Sequence, residues 1–172
     1  MDASIPMTVT GVRVELPSNT PIVLLREQTG TRFLPIWVGA MEAMAISSAL
    51  DGIEPARPMT HDLLRSVIET MSGSVERVVV TELRNNVYYA ELVLAAGEDE
   101  LVVSSRPSDA IALAVRTGAP VFAQRAILDA VGIEIEDEST EPTEDEISRF
   151  REMLEDITVE DFMSDDPDDQ DG

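Results

Sequence analysis

Cysteine is absent from the 172-residue chain, which removes disulfides, thiolate-bound zinc, iron–sulfur clusters and cysteine nucleophiles together. Lysine is absent too, so all twelve basic residues are arginine. Aromatic residues make up only 4%, and the core must therefore be aliphatic, built from Val, Leu, Ile, Ala and the eight Met. No apolar run approaches the ~18 residues needed to span a bilayer. Met1–Thr10 has neither a basic segment nor a long apolar one, so no secretory leader is expected and the cytoplasm is the expected compartment. His61 is the one imidazole in the chain.

Positive charge is also scarce. Thirty-four acidic residues stand against twelve basic ones, a net charge of −22. Residues 136–172 hold seventeen acidic residues and two arginines, so they carry −15 and leave −7 on Met1–Ile135. A field of this sign repels phosphate backbones and offers no basic footprint for nucleic acid.

The order of patterns predicts an α+β fold in one compact domain of mainly antiparallel strands with inserted helices. Strands are expected at Val9–Leu16, Pro21–Arg26 and Arg32–Val38, with Gly30 supplying a turn. Gly39 then leads into Ala40–Leu50, apolar nearly all round and therefore expected to be a buried helix. A second helix is expected from Thr60, its cap, to about Met71, with an apolar stripe of Leu63, Leu64, Val67 and Ile68. Val75–Leu83 and Val87–Leu94 flank Arg84-Asn85-Asn86, strong hairpin chemistry. Leu101–Val103, a helix opening at Arg106-Pro107, a strand at Pro120–Ala123 and a helix at Ile127–Val131 complete a domain over residues 7–135. The remainder, 136–172, reads as an acidic linker, an amphipathic helix at about 143–157 started by the capping box Thr143–Glu146, and a disordered end from Ser164. The helix is expected to dock on its own domain through the stripe Ile147, Phe150, Leu154 and Ile157; recruiting a partner is the alternative.

The chain has no phosphate-binding Gly-rich loop, dinucleotide fingerprint or paired-His zinc motif, so no organic cofactor is expected. His61 lies in Arg57-Pro58-Met59-Thr60-His61-Asp62, at a helix start where the dipole favours neutral imidazole and ionised carboxylate. A neutral imidazole beside a carboxylate can activate water; plain helix capping is the simpler account. Ser104-Ser105-Arg106-Pro107-Ser108-Asp109 echoes that arrangement of Arg-Pro, hydroxyl and acid. Two such helix starts, each with a guanidinium and free N–H groups, could hold a phosphate. Glu42 sits among Ala, Met and Ile, where a carboxylate must be paired, metal-bound or protonated. An arginine such as Arg57 or Arg106 would satisfy it. Metal-assisted phosphodiester cleavage would instead need converging carboxylates, for which Glu42, Asp62 and Asp109 are the candidates. Trp37 reads as core rather than as a stacking platform.

Leu34-Pro-Ile-Trp-Val-Gly39 with Glu42-Ala43, Arg57-Pro-Met-Thr-His-Asp62, Val87-Tyr-Tyr-Ala-Glu-Leu92, Ser105-Arg-Pro-Ser-Asp-Ala-Ile-Ala-Leu-Ala-Val-Arg116 and Pro120-Val-Phe122 together resemble the bifunctional nuclease family, from about Met7 to Ile135. The resemblance implies a compact α+β domain, usually oligomeric with a dimer as first expectation, that cleaves DNA and RNA. On matching positions it implies Glu42, Arg57, His61, Asp62, Arg106, Ser108 and Asp109 as site residues. Many members have Asp where this chain has Ser104; if that Asp helps bind a cation, activity here is reduced. The expected function is hydrolysis of single- or double-stranded nucleic acid with a divalent cation, Mg²⁺ or Mn²⁺. In that reading Arg57, Arg106 and Ser108 bind phosphate, Asp62, Asp109 and Glu42 hold the metal, and His61, Asp62 and Asp109 are catalytic. The competing expectation is a non-catalytic binding or regulatory module for a protein or a phosphorylated ligand.

Overall fold

A computed structural model describes residues 3–134 and 141–156. Strands β1 (Ser4–Glu15), β2 (Thr20–Glu27) and β3 (Arg32–Trp37) lead to helices α1 (Ala40–Leu50) and α2 (Thr60–Thr70). Then come β4 (Gly73–Arg84), β5 (Val87–Ala96), β6 (Asp99–Ser105) and helix α3 (Pro107–Thr117). β7 (Val121–Gln124), α4 (Arg125–Val131), a two-residue β8 (Ile133–Glu134) and α5 (Glu144–Asp156) follow. The strands form one sheet in the order β6-β5-β4-β7-β1-β2-β3-β8. Every neighbouring pair is antiparallel except β4 with β7, so the α+β class holds. Asn85 and Asn86, both at positive φ (51° and 59°), make the tight β4–β5 turn that the hairpin chemistry predicted; Asn tolerates this region better than other side chains.

β7 is the joint of the sheet. It lies between two antiparallel meanders, β1–β3 and β4–β6, and pairs with both β1 and β4. Helix α3, which delivers the chain from β6 to β7, packs against β4 and β5. Its Ile111 and Leu113 join Val78, Val80, Leu92, Val23 and Leu34 in the main core cluster.

Three expectations need correction. Helix α1 is not buried all round: Ala43 and Ile46 are, while Met41 and Met44 are 65% and 54% exposed. The α2 stripe does not face the core either. Leu63, Leu64 and Val67 are exposed, Ile68 is half-buried, and His61 is the buried residue of this helix. The reason is layering. α3 occupies the position over the sheet, and both α1 and α2 pack onto α3, which leaves their outer faces to solvent. The cap of α2 is Met59 rather than Thr60, with the Asp62 carboxylate accepting the Met59 backbone N–H at 3.0 Å.

The tail helix docks on its own domain. Thr143 and Glu146 form the reciprocal capping box, with Glu146 Oε2 accepting the Thr143 N–H at 2.7 Å and Thr143 Oγ1 accepting the Glu146 N–H at 3.3 Å. Ile147 packs with Ile22 and Leu24. Phe150 stacks on Trp37 with ring centroids 5.5 Å apart, which makes Trp37 part of a packed junction. Arg151 pairs with buried Glu15 at 2.6 Å, and Arg13 pairs with Glu141. Residues 135–140 and 157–172, which hold most of the expected linker and the end from Ser164, lie outside the described residues. Among the described residues no helix is long and apolar enough to cross a membrane.

Candidate active site

Three helices bring their charged residues to one cleft of about 280 Å³. α1 supplies Glu42, α2 supplies His61 and Asp62 in its first turn, and α3 supplies Arg106 at its start with Asp109 in its first turn. Pro107 at the first helical position sets the α3 start abruptly. The N-termini of α2 and α3 thereby face each other closely enough for His61 Nε2 and Asp109 Oδ1 to lie 2.9 Å apart.

That contact begins a continuous chain of hydrogen bonds. Arg106 donates from Nε to Asp109 Oδ2 at 2.7 Å and from its second terminal nitrogen to Oδ1 at 3.0 Å, a bidentate pair. Its other terminal nitrogen donates to Glu42 Oε1 at 3.1 Å. Glu42 thus has the arginine partner that its apolar surroundings called for. A Cβ added at Gly39 would collide with Glu42 Oε2, so glycine at this helix start leaves room for the carboxylate. Alongside, Arg116 Nε donates to Asp62 Oδ1 at 2.7 Å.

The electrostatics follow from these contacts. Partial burial works against the charge on Asp109, but hydrogen bonds from Arg106 and His61 and the charge of Arg106 outweigh it, and its pKa lies below the ordinary carboxylate value. Asp62 is also lowered, chiefly by its bond from Arg116, with burial opposing and the Met59 N–H assisting. Arg106 is raised, mainly by its hydrogen bonds to Asp109. Both carboxylates are therefore ionised at neutral pH. With Nε2–H donating to Asp109, His61 Nδ1 is left with no hydrogen-bond partner among the described residues.

The structure brings together Glu42, His61, Asp62, Arg106 and Asp109. It does not bring Arg57 or Ser108 to this cleft. The two Arg-Pro motifs are different devices: Pro107 lies inside α3, whereas Pro58 precedes the α2 cap. Arg57 is accordingly left exposed on the loop ahead of the helix. Ser108 is buried and lines a second cleft, of about 420 Å³, together with Trp37, Tyr88 and Arg151. Ser104 is exposed on β6 opposite Glu91 and lines neither cleft.

Arg116 was missed by sequence reasoning, although it lies two turns beyond Asp109 on α3 and therefore on the same side of the helix. Met41, Met44 and Met59, which wall the cleft with Ile53 and Pro55, were read as core. For a divalent cation the residues as arranged do not fit. Glu42 and Asp109 share Arg106 and Asp62 is turned to Arg116, and no group of three or more His, Asp or Glu placed to hold a metal occurs among the described residues.

Fold and site define an α+β domain with a cleft of polar floor where the first turns of three helices converge. Residues 23–136 match the bifunctional nuclease domain, about two-thirds of the chain, and the protein belongs to that family. An uncharacterised protein of Mycobacterium tuberculosis is 42% identical over 161 residues, covering 91% of this chain and 96% of its own. Bifunctional nuclease 1 of Oryza sativa subsp. indica is 32% identical over 117 residues, 66% of this chain and 35% of that protein. Bifunctional nuclease 2 of Arabidopsis thaliana is 31% identical over 128 residues, 71% and 39% respectively. The chain thus spans little more than a third of these plant nucleases.

Proposed function

We propose that the cleft hydrolyses phosphodiester bonds of nucleic acid, with His61 as general base. The observation that carries this is the 2.9 Å contact between His61 and Asp109, residues from two helices joined at the floor of a cleft that also holds two guanidinium groups. Asp109 accepts the Nε2 proton and fixes the imidazole in the tautomer whose Nδ1 lone pair can take a proton from water. The water oxygen adds to phosphorus, the bond from phosphorus to the ester oxygen breaks, the leaving alkoxide takes a proton from solvent water, and His61 releases to solvent the proton it took from the attacking water. Arg106 and Arg116 stabilise the charge that builds on the phosphoryl oxygens. A divalent cation, Mg²⁺ or Mn²⁺, would have to displace Arg106 from Glu42 and Asp109 or Arg116 from Asp62 before these carboxylates could hold it.

A second reading, a binding module without turnover, is favoured by the fact that Arg106 and Arg116 already hold carboxylates. Assay of purified protein on labelled single-stranded DNA and RNA with Mg²⁺, Mn²⁺ or chelator, beside His61→Ala and Asp109→Ala, separates the two. Hydrolysis should fall by about 10²–10⁴ in both variants. Full activity in both, with the fold intact, would refute the assignment.

Self-association forms part of the proposal. The exposed Leu63, Leu64 and Val67 on α2, with Met71 just past its end, make a face suited to a second copy of the chain, since exposed apolar surface of this kind commonly marks an interface.

A further inference from the structure

We infer that the cleft takes a short phosphodiester, of dinucleotide size, in preference to a long polynucleotide; this rests on the phosphodiester reading above. The first support is the distribution of positive charge. Eight of the twelve arginines form ion pairs with Asp or Glu among the described residues: Arg13, Arg32, Arg65, Arg77, Arg84, Arg106, Arg116 and Arg151. No lysine exists to supply the rest. A polyanion gains affinity by releasing counterions as its phosphates meet unpaired cationic groups. Here most of those groups are already neutralised, and a long strand would in addition be repelled by a chain of net charge −22. A ligand with one diester meets less of that repulsion, because at ordinary salt only charges within about 10 Å act on it, chiefly Glu42, Asp62 and Asp109 against Arg106 and Arg116 in the cleft lining.

The second support is the shape and lining of the cleft. Its volume of about 280 Å³ lies just below the ~300–1,000 Å³ typical of small-molecule sites. Its wall is apolar, from Met41, Met44, Ile53, Pro55 and Met59, and its floor is the Arg106–Asp109–His61 chain. Flat, uncharged nucleobases suit polarisable methionine walls, while the diester reaches the polar floor. A duplex offers its phosphates with the bases stacked inside, so it could use the floor but not the wall.

Calorimetric titration of the full chain in chelator tests this with an unlabelled dinucleoside monophosphate and a 20-residue single strand, each at 50 and 200 mM NaCl, followed by a turnover assay on both. The dinucleotide should bind at least about tenfold more tightly, with less than about a twofold change between the two salts; a binder with several phosphate contacts would instead lose about 10³–10⁵. Met44→Ala combined with Met59→Ala should weaken the dinucleotide by about three- to tenfold. Tighter binding of the long strand, lost as salt rises, would overturn the inference while leaving hydrolysis in place. Failure of the dinucleotide to bind, or an unchanged affinity in the double variant, would overturn it too. Dinucleotide binding without turnover would uphold it and remove the hydrolytic reading instead.

Discussion

Replacing Arg116 by Met keeps most of the side chain's apolar length and removes its charge. Arg116 is nearly buried, with a side chain 10% exposed, and its partner Asp62 is 26% exposed. Removing one member of a fully buried pair costs about 3–5 kcal/mol, whereas exposed pairs contribute about 0–1 kcal/mol. Asp62 lies between these limits. After the change it still accepts the Met59 N–H at 3.0 Å and still sits in the first turn of α2, where the helix dipole favours an anion. The loss of the bond to the Ala112 carbonyl at 2.8 Å adds a fraction of a neutral hydrogen bond. About 2 kcal/mol is the resulting expectation, or ~4–8 °C in Tm for a chain of this length. The effect should depend on pH. Asp62 has a depressed folded-state pKa, so the pair contributes stability above the ordinary carboxylate range and loses it as pH falls through the folded value. Thermal melts of Arg116→Met and wild type between pH 7 and pH 3 should therefore converge at the acid end. A Tm difference below 1 °C at pH 7, or one that does not shrink in acid, would refute this account.

Asp109→Asn removes a second depressed carboxylate, so its acid unfolding curve should be flatter than that of wild type below about pH 4. Phe150→Ala empties a side chain that is 3% exposed and stacked on Trp37; the expected cost is about 3 kcal/mol, with a red shift of the emission of Trp37, the chain's one tryptophan. An unshifted spectrum would mean that α5 does not cover Trp37. Leu63→Glu with Val67→Glu should shift self-associated protein to monomer in light scattering and change stability by less than about 0.5 kcal/mol per site, since both side chains are exposed.

The α+β class and nearly every element were legible because period-2 runs, turn pairs such as Asn85-Asn86 and abrupt starts such as Arg106-Pro107 are local signals. What could not be read was which apolar face meets which neighbour. The periodicity of α2 identifies Leu63, Leu64 and Val67 as one stripe, but not that α3 would already occupy the place over the sheet and leave the stripe in solvent. The site was half legible for the same reason. His61 and Asp109 stand out chemically, yet their pairing depends on how α2 crosses α3, across 48 positions of sequence. Arg57 drew attention because it precedes a proline as Arg106 does. A shift of the cap to Met59 leaves that proline outside the helix and Arg57 on the loop, while Arg116, with no motif around it, reaches Asp62.

The position of β7 has a consequence for the order of events during synthesis. β7 is the strand through which the β1–β3 and β4–β6 meanders meet, and it is among the last of the sheet strands to leave the ribosome. Until Val121–Gln124 has emerged, the two halves can each fold as a local hairpin unit but have no backbone ladder to hold them in register. Glu42 belongs to the first half and Arg106 to the second, and they meet through α1 and α3, helices that precede β7 and pack on each other directly. A nascent or truncated chain ending before β7 would carry every lining residue of the cleft, Met41 to Arg116, but not the strand that ties the two meanders into one sheet.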